Sequence, residues 1–154
     1  MPVMNYIGAE GTRANILTIP VQLTAAQILA LYTTPVELVP APGAGKALIF
    51  HGIYIHKTAG TAYAGIAAGE DLSIKYTDAS GLAVAGCETT GFLDQTSVQD
   101  RYSSIYAAAS GDSSFTPVAN AAFVIHLLSG NITTGDTLLE MSVLFSIVDA
   151  LPFG

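Results

Sequence analysis

Three histidines are the side chains in this sequence best suited to hold a metal ion. His51 and His56 lie in one stretch, Lys46 to His56, whose content of Ile, Leu, Phe and Tyr predicts a β-strand. Residues five apart on a regular strand point to opposite faces, so these two side chains cannot bind the same ion. His126 lies in a second apolar stretch, and a single contact across a sheet does not make a site. We therefore expect histidines that pack or hydrogen-bond within a β-structure, and no metal.

No nucleophile in the sequence stands beside a base. Cys87 is flanked only by Gly86 and Glu88, and no G-x-S-x-G sequence occurs, so nothing indicates acyl transfer. Glu70 and Asp71 are adjacent and would diverge on a strand, which disfavours a pair of catalytic carboxylates. No run of oxygen ligands has EF-hand spacing. We expect no catalytic residue and no enzymatic activity.

One turn, Gly43 to Lys46 (GAGK), superficially resembles a phosphate-binding loop. The required earlier glycine is replaced by Pro40, and Ala47 stands where a Ser or Thr would hold magnesium. A predicted strand follows the turn, so no helix N-terminus faces a phosphate. The stretch is predicted to be a plain turn, and no cofactor is expected.

The composition favours a protein that works in an assembly. The chain has 154 residues, enough for one domain with a sizeable core, yet only 11% of them are charged against about 25% in typical soluble domains. A weakly charged surface on a free monomer favours association.

The net charge of −7 argues against nucleic-acid binding. Asp100 and Arg101 are expected to form a solvated pair. A single cysteine implies no internal disulfide, and no apolar run or leader pattern indicates a membrane or secreted protein.

The elements that must position these residues centre on Pro35 to Lys57. A short apolar strand, a Pro/Gly turn at residues 40–45 and a long returning strand predict a hairpin. Both faces of the long strand are largely apolar if its side chains alternate regularly. We expect a second sheet to cover one face and a neighbouring subunit to cover the other.

The rest of the chain predicts further strands and one helix. Thr24 is suited to cap a helix over Ala25 to Leu31, and Pro20 indicates an edge strand or a bulge. The predicted fold is all-β, a single-domain β-sandwich or jelly roll with one short helix near residues 25–31. Residues 1–15 are interpreted as an N-terminal arm and residues 16–154 as the domain. The other predicted strands are Ile16 to Leu23, Asp71 to Thr77, Leu82 to Ala85, Glu88 to Leu93, Tyr102 to Ala109, Ala121 to Leu128 and Thr137 to Asp149.

Two stretches resemble bacteriophage head decoration (cement) proteins. The first is IPVQLTAAQILALYTTPVELVPAPGAGKALIFHGIYIHK, and the second is LSGNITTGDTLLEMSVLFSIVD. The resemblance implies a β-rich structural virion protein, commonly a homotrimer, on the capsid exterior where major capsid subunits meet. The implied partner is therefore the major capsid protein, with synthesis in the host cytoplasm.

Within that interpretation the N-terminal arm is expected to contact the capsid, through Met4, Tyr6, Ile7 and Arg13. Two alternatives remain open. One is another virion component, such as a connector, tail or fibre protein. The other is a carbohydrate- or ligand-binding jelly roll, which would be distinguished by a concave face with exposed aromatic side chains. The candidate stacking residues for that alternative are Tyr63, Tyr102 and Tyr106.

Overall fold

The computed structural model of the chain describes residues 15–104 and 116–149. Within these ranges the chain forms eight β-strands and one helix, α1 (Ala25–Ala30). The predicted all-β single-domain fold is confirmed. No helix of the described residues is long and apolar enough to cross a membrane. The strands are β1 (Leu17–Leu23), β2 (Val36–Val39), β3 (Lys46–Lys57), β4 (Asp71–Tyr76), β5 (Ala83–Glu88), β6 (Gln99–Ser104), β7 (Phe123–Leu127) and β8 (Leu139–Asp149).

The strands form two antiparallel sheets of four. Sheet A has the order β1-β8-β3-β6, and sheet B has the order β2-β7-β4-β5. Strand β1 pairs with β8, β2 with β7, β3 with β6 and β4 with β5. The chain is therefore one long antiparallel ribbon, doubled back between β4 and β5 and rolled into two packed layers. This pairing is the jelly-roll topology.

The predicted hairpin between β2 and β3 is wrong, because the two strands belong to different sheets. The turn between them has the expected local geometry, with φ of +102° at Gly43 and +73° at Gly45. It crosses from sheet B to sheet A, and the Gly43 N–H donates to Asn120 Oδ1 at 3.0 Å. Strand β3 pairs with β8 from Lys46 to Lys57, a longer ladder than the four residues of β2 could offer.

A β-bulge at His51 changes which side of β3 faces the core. The register of β3 against β8 shifts between Phe50 and Gly52, so His51 is an extra residue on this strand. Phe50 faces the core before the bulge and Ile53 faces it afterwards, and both are buried. The two apolar faces expected from regular alternation are therefore largely one apolar face. Its side chains come from even-numbered positions before the bulge and from odd-numbered positions after it. No second layer covers the other face among the described residues, and cover by a neighbouring subunit stays a prediction.

Aromatic side chains join the two sheets across the core. Phe50 of sheet A meets Phe123 of sheet B edge to face, with ring centroids 5.8 Å apart. The buried hydroxyl of Tyr76 in sheet B donates to the carbonyl of Leu48 in sheet A. Burial in this apolar layer raises the pKa of Tyr76 to about 12.

Helix α1 carries the chain from sheet A to sheet B and confirms its prediction. The Thr24 hydroxyl accepts from the Gln27 N–H, and the Gln27 side chain accepts from the Thr24 N–H, which makes a capping box. Ile28 and Leu31 are buried against the core. Tyr32, predicted to share that face, is 40% exposed.

Two further predictions need correction. The small residues of 58–69 (TAGTAYAGIAAG) predict an exposed loop, but Tyr63 is buried and donates to the carbonyl of Thr137 at 2.7 Å. Asp136 also holds this loop, since its carboxylate accepts from the Thr61 N–H at 2.6 Å. The predicted strand from Glu88 to Leu93 is wrong beyond Glu88, the last residue of β5, because a turn follows in which the Leu93 N–H donates to the Thr89 carbonyl.

Candidate functional site on the open face of sheet A

The side of sheet A that points away from the core carries polar and aromatic side chains from neighbouring strands. The strand register places Tyr54 opposite Tyr102 and His56 opposite Asp100 on this side. On the other flank of β3, Glu140 lies opposite His56. We call this surface the open face, and it comprises Gln22, Tyr54, His56, Asp100, Tyr102 and Glu140.

Asp100 is the centre of the hydrogen bonding on the open face. Its Oδ1 accepts from the Tyr54 hydroxyl at 2.5 Å and from His56 Nδ1 at 2.7 Å. Because an ionised carboxylate only accepts, the proton in the second bond is on His56 Nδ1. The Tyr54 hydrogen bond, and next the one from His56, lower the pKa of Asp100, while the bond to Asp100 raises the pKa of Tyr54.

A shallow depression of about 500 Å³ lies beside this group. The edge strand β1 contributes Pro20 and Gln22 to its wall, and β8 contributes Glu140 and Ser142. Gln22 Nε2 donates to Glu140 Oε1 at 3.3 Å across the two strands. The depression therefore combines a tyrosine ring with amide, carboxylate and imidazole groups.

The position of the second tyrosine of the open face, Tyr102, depends on a glycine. Tyr102 is 63% exposed, the largest exposed fraction among the exposed large apolar and aromatic side chains of the described residues. Its ring occupies the space where a side chain of Gly52 would lie, because a Cβ atom there would overlap the ring. Gly52 thus allows the Tyr102 ring to rest on β3 with the rest of its surface in solvent.

The arrangement is suited to binding rather than to covalent chemistry. The Asp100–His56 pair resembles part of a catalytic triad, but the hydroxyl nearest to it, that of Tyr54, donates to Asp100 rather than to the histidine. Within residues 15–104 and 116–149, no three His, Cys, Asp or Glu side chains are grouped so that they could hold a metal ion. What the face offers a ligand is aromatic surface and hydrogen-bonding groups.

The expected capsid contacts are not among the described residues. Met4, Tyr6, Ile7 and Arg13 lie outside the described residues, so the interpretation of the arm stays a prediction. Cys87 is buried, and burial raises the pKa of its thiol to about 11, so it is protonated near neutral pH.

The adjacent acidic residues Glu70 and Asp71 have different environments. Glu70 is buried, and its two carboxylate oxygens accept from the Ser129 N–H at 3.0 and 3.2 Å. Asp71 is half-buried, and desolvation, followed by repulsion from Glu88, raises its pKa. These contacts give Glu70 a structural role between two loops.

The histidines divide between the two sheets. Because of the bulge, His51 and His56 share one face of β3, so the expectation of opposite faces is wrong. They nevertheless have separate partners, since His51 Nε2 hydrogen-bonds the Ser146 hydroxyl at 2.9 Å. His126 is buried on sheet B, where its Nε2 donates to the carbonyl of Tyr32 at 3.0 Å. The expectation of packed or hydrogen-bonded histidines is confirmed.

The expected pair between Asp100 and Arg101 does not form. Adjacent residues on β6 point to opposite sides, so the two side chains separate. The Arg101 guanidinium lies 5.2 Å from the centroid of the Phe92 ring and donates to the carbonyl of Gly91.

The candidate stacking tyrosines also separate. Tyr63 is buried, Tyr102 is exposed on the open face, and Tyr106 lies outside the described residues. Sequence reasoning missed Tyr54, because regular alternation along β3 does not reveal the bulge that turns it outward.

No protein-family model matches this chain, and no curated protein or solved structure matches it.

Proposed function

We propose that the protein is a structural component of a bacteriophage virion that binds the capsid exterior and bridges major capsid subunits. The sequence resemblance to decoration proteins supports this role. A rigid jelly roll suits it, because clamping subunits requires buried contact area rather than chemistry. Many copies on one shell would multiply the effect of each weak contact.

The observation that carries the proposal is an exposed apolar end of sheet A. Ile16 and Leu17 are 58% and 40% exposed at the start of β1, and Ile147 and Val148 are 42% and 36% exposed near the end of β8. These strands are neighbours and Leu17 pairs with Phe145, so the four residues lie at the same end of sheet A. Because side chains alternate along a strand, Ile147 and Val148 point to opposite sides of the sheet there. Clusters of exposed apolar side chains mark contact surfaces.

The predicted arm continues from this same end of the sheet. Asn15 and Ile16 are exposed immediately before β1, and residues 1–14 precede them in the chain. We propose that the arm and the apolar end together contact the capsid, with Met4, Tyr6, Ile7 and Arg13 as the contact residues. The low charge of the chain, 11% of residues, supports association into a homotrimer as well.

The experiment combines solution mass with co-sedimentation. Light scattering is expected to give about three times the chain mass, and the protein is expected to pellet with undecorated capsids in a fixed ratio to the capsid subunit. Deletion of Met1 to Arg13 should leave the circular dichroism spectrum unchanged and abolish pelleting. A monomer that does not pellet with capsids would overturn the proposal.

Paired substitutions separate the apolar end from general surface hydrophobicity. Ile16→Ser combined with Val148→Ser should weaken pelleting at least about tenfold, because burying two such side chains contributes a few kcal/mol. Val98→Ser combined with Leu82→Ser removes side chains that are 50% and 38% exposed elsewhere on the domain. Equal loss in both pairs would contradict a role specific to the apolar end.

A further inference from the structure

We propose that the open face of sheet A is a binding site for a neutral saccharide, with Tyr54 and Tyr102 as its stacking surface. This inference does not depend on the capsid proposal, because it concerns a different surface and a different chemical class of ligand. It rests on the aromatic pair, on the order of its surroundings and on the charge of the face.

The two rings start from one register position and extend in opposite directions along the strands, and together they form an aromatic strip. Tyr54 and Tyr102 are direct register partners on neighbouring strands. The Tyr102 ring lies over Gly52, whereas the Tyr54 hydroxyl reaches Asp100 on the opposite side. The strip therefore extends along β3 from Gly52 towards His56, roughly 13 Å at the usual rise per strand residue. Its length suits a short oligosaccharide better than a single sugar ring.

The Tyr54 part of the strip is held in place by hydrogen bonds before any ligand binds. Tyr54 is 42% exposed, yet its hydroxyl is held by Asp100, and Asp100 is held in turn by His56. A ring fixed in this way loses little rotamer freedom on binding. Exposed tyrosines that are already fixed by hydrogen bonds are suited to stacking on the apolar face of a sugar.

The polar groups around the strip match sugar hydroxyls. Oδ2 of Asp100 and Nε2 of His56 make no hydrogen bond with the described residues, so both remain available to a ligand. Gln22 and Glu140 add an amide and a second carboxylate in the adjoining depression. Sugar hydroxyls both donate and accept, and can therefore satisfy this mixed set.

The charge of the face selects the class of ligand. Asp100 and Glu140 are its acidic groups, and the chain as a whole carries a net charge of −7. Phosphates, sulfates and acidic sugars would be repelled, so the charge favours neutral over acidic saccharides. A protein partner fits the apolar end better, because the centres of protein interfaces are depleted in charged residues.

The test begins with an array of neutral oligosaccharides built from glucose, galactose, mannose and N-acetylglucosamine, alongside sialylated and sulfated controls. Binding of the full chain to the strongest neutral ligand is then measured by titration calorimetry. Binding to neutral glycans, with no preference for acidic ones, is the expected result. Absence of binding at millimolar concentrations, or preference for acidic glycans, would overturn the proposal.

Three variants locate the site. Tyr102→Ala should weaken binding about tenfold, since it removes the more exposed stacking ring. Gly52→Ala retains both tyrosines but places a Cβ atom where the Tyr102 ring lies, and should weaken binding by a similar factor. Val98→Ala, an exposed apolar position outside the strip, serves as the control. Circular dichroism verifies folding, and unchanged affinity in a folded Tyr102→Ala protein would refute the site.

Discussion

The outer surfaces of the two sheets differ in what covers them. On sheet A, Tyr54 of the inner strand β3 and Tyr102 of the edge strand β6 lie exposed. On sheet B, the corresponding side carries His126 and Ser73, which are 6% and 0% exposed. Each sheet has four antiparallel strands and one side packed on the same core, so the strand pattern alone does not explain the difference.

The chain itself provides part of the cover on sheet B. After α1, Tyr32 stacks on the His126 ring with centroids 5.8 Å apart, and its carbonyl accepts from His126 Nε2. No described segment crosses the open face of sheet A in this way. The covered surface contributes to stability, and the open one remains accessible to a ligand.

Covering sheet B leaves polar groups without partners. Ser73 and His126 are register partners on β4 and β7, yet Ser73 Oγ and His126 Nδ1 make no hydrogen bond with described residues. On sheet A, by contrast, His56 bonds Asp100 and His51 bonds Ser146. Buried groups without partners are destabilising, whereas buried groups with partners and packed rings are stabilising, so the two surfaces should respond differently to substitution.

The largest expected difference is between the two histidines. His126→Ala should lower the free energy of unfolding by about 2–3 kcal/mol, because it opens a cavity and removes the stacking and the hydrogen bond to Tyr32. His56→Ala should change it by less than about 0.5 kcal/mol, as expected for a surface substitution. Urea unfolding followed by circular dichroism measures both. Equal losses would break the distinction between the covered and the open surface.

A smaller difference is expected between two buried serines. Ser73→Ala removes a buried hydroxyl that has no partner and should leave stability unchanged or raise it by up to about 1 kcal/mol. Ser146→Ala removes a hydroxyl bonded to His51 and should lower stability by about 1 kcal/mol. The same denaturation measurement applies. Destabilisation by Ser73→Ala would mean that its hydroxyl has a partner after all.

The smallest expected effect is on the ionisation of Asp100. Its pKa is lowered mainly by the Tyr54 hydroxyl, so Tyr54→Phe should move the pKa back towards the ordinary value for aspartate. The stability from ionised Asp100 is present above its unfolded-state pKa and is lost as the pH falls through the lower folded-state pKa. In Tyr54→Phe the folded-state pKa is higher, so this contribution should be smaller and its loss should be complete at a higher pH.

Carboxyl-detected NMR titration of the wild type and of Tyr54→Phe follows this pKa directly. Asp136 provides an internal control. Its pKa is lowered by hydrogen bonds from Thr61, and Tyr54 takes no part in these bonds. It should titrate identically in both proteins. An unchanged Asp100 pKa in the variant would show that His56 alone holds the carboxylate.

Local patterns were sufficient to predict much of the fold. Thr24 and Gln27 specify the start of α1, because a capping box needs only residues three apart. Pro20 correctly indicated an edge strand, since proline has no N–H to donate to a second neighbour. The alternation in β8 placed Met141 and Val143 in the core. The candidate site was only partly predictable, with Tyr102 anticipated and Tyr54 missed.

The sequence by itself determined the β class, the capped helix and most strand positions, because these depend on side-chain periodicity and on neighbours along the chain. Only the tertiary structure decided that β2 and β3 join different sheets, since a Pro/Gly turn reverses the chain without choosing its hydrogen-bonding partner. It also decided which face of β3 carries Tyr54 and His56. One extra residue, His51, changes the parity of the strand, and that residue is recognisable only when β3 is paired with β8.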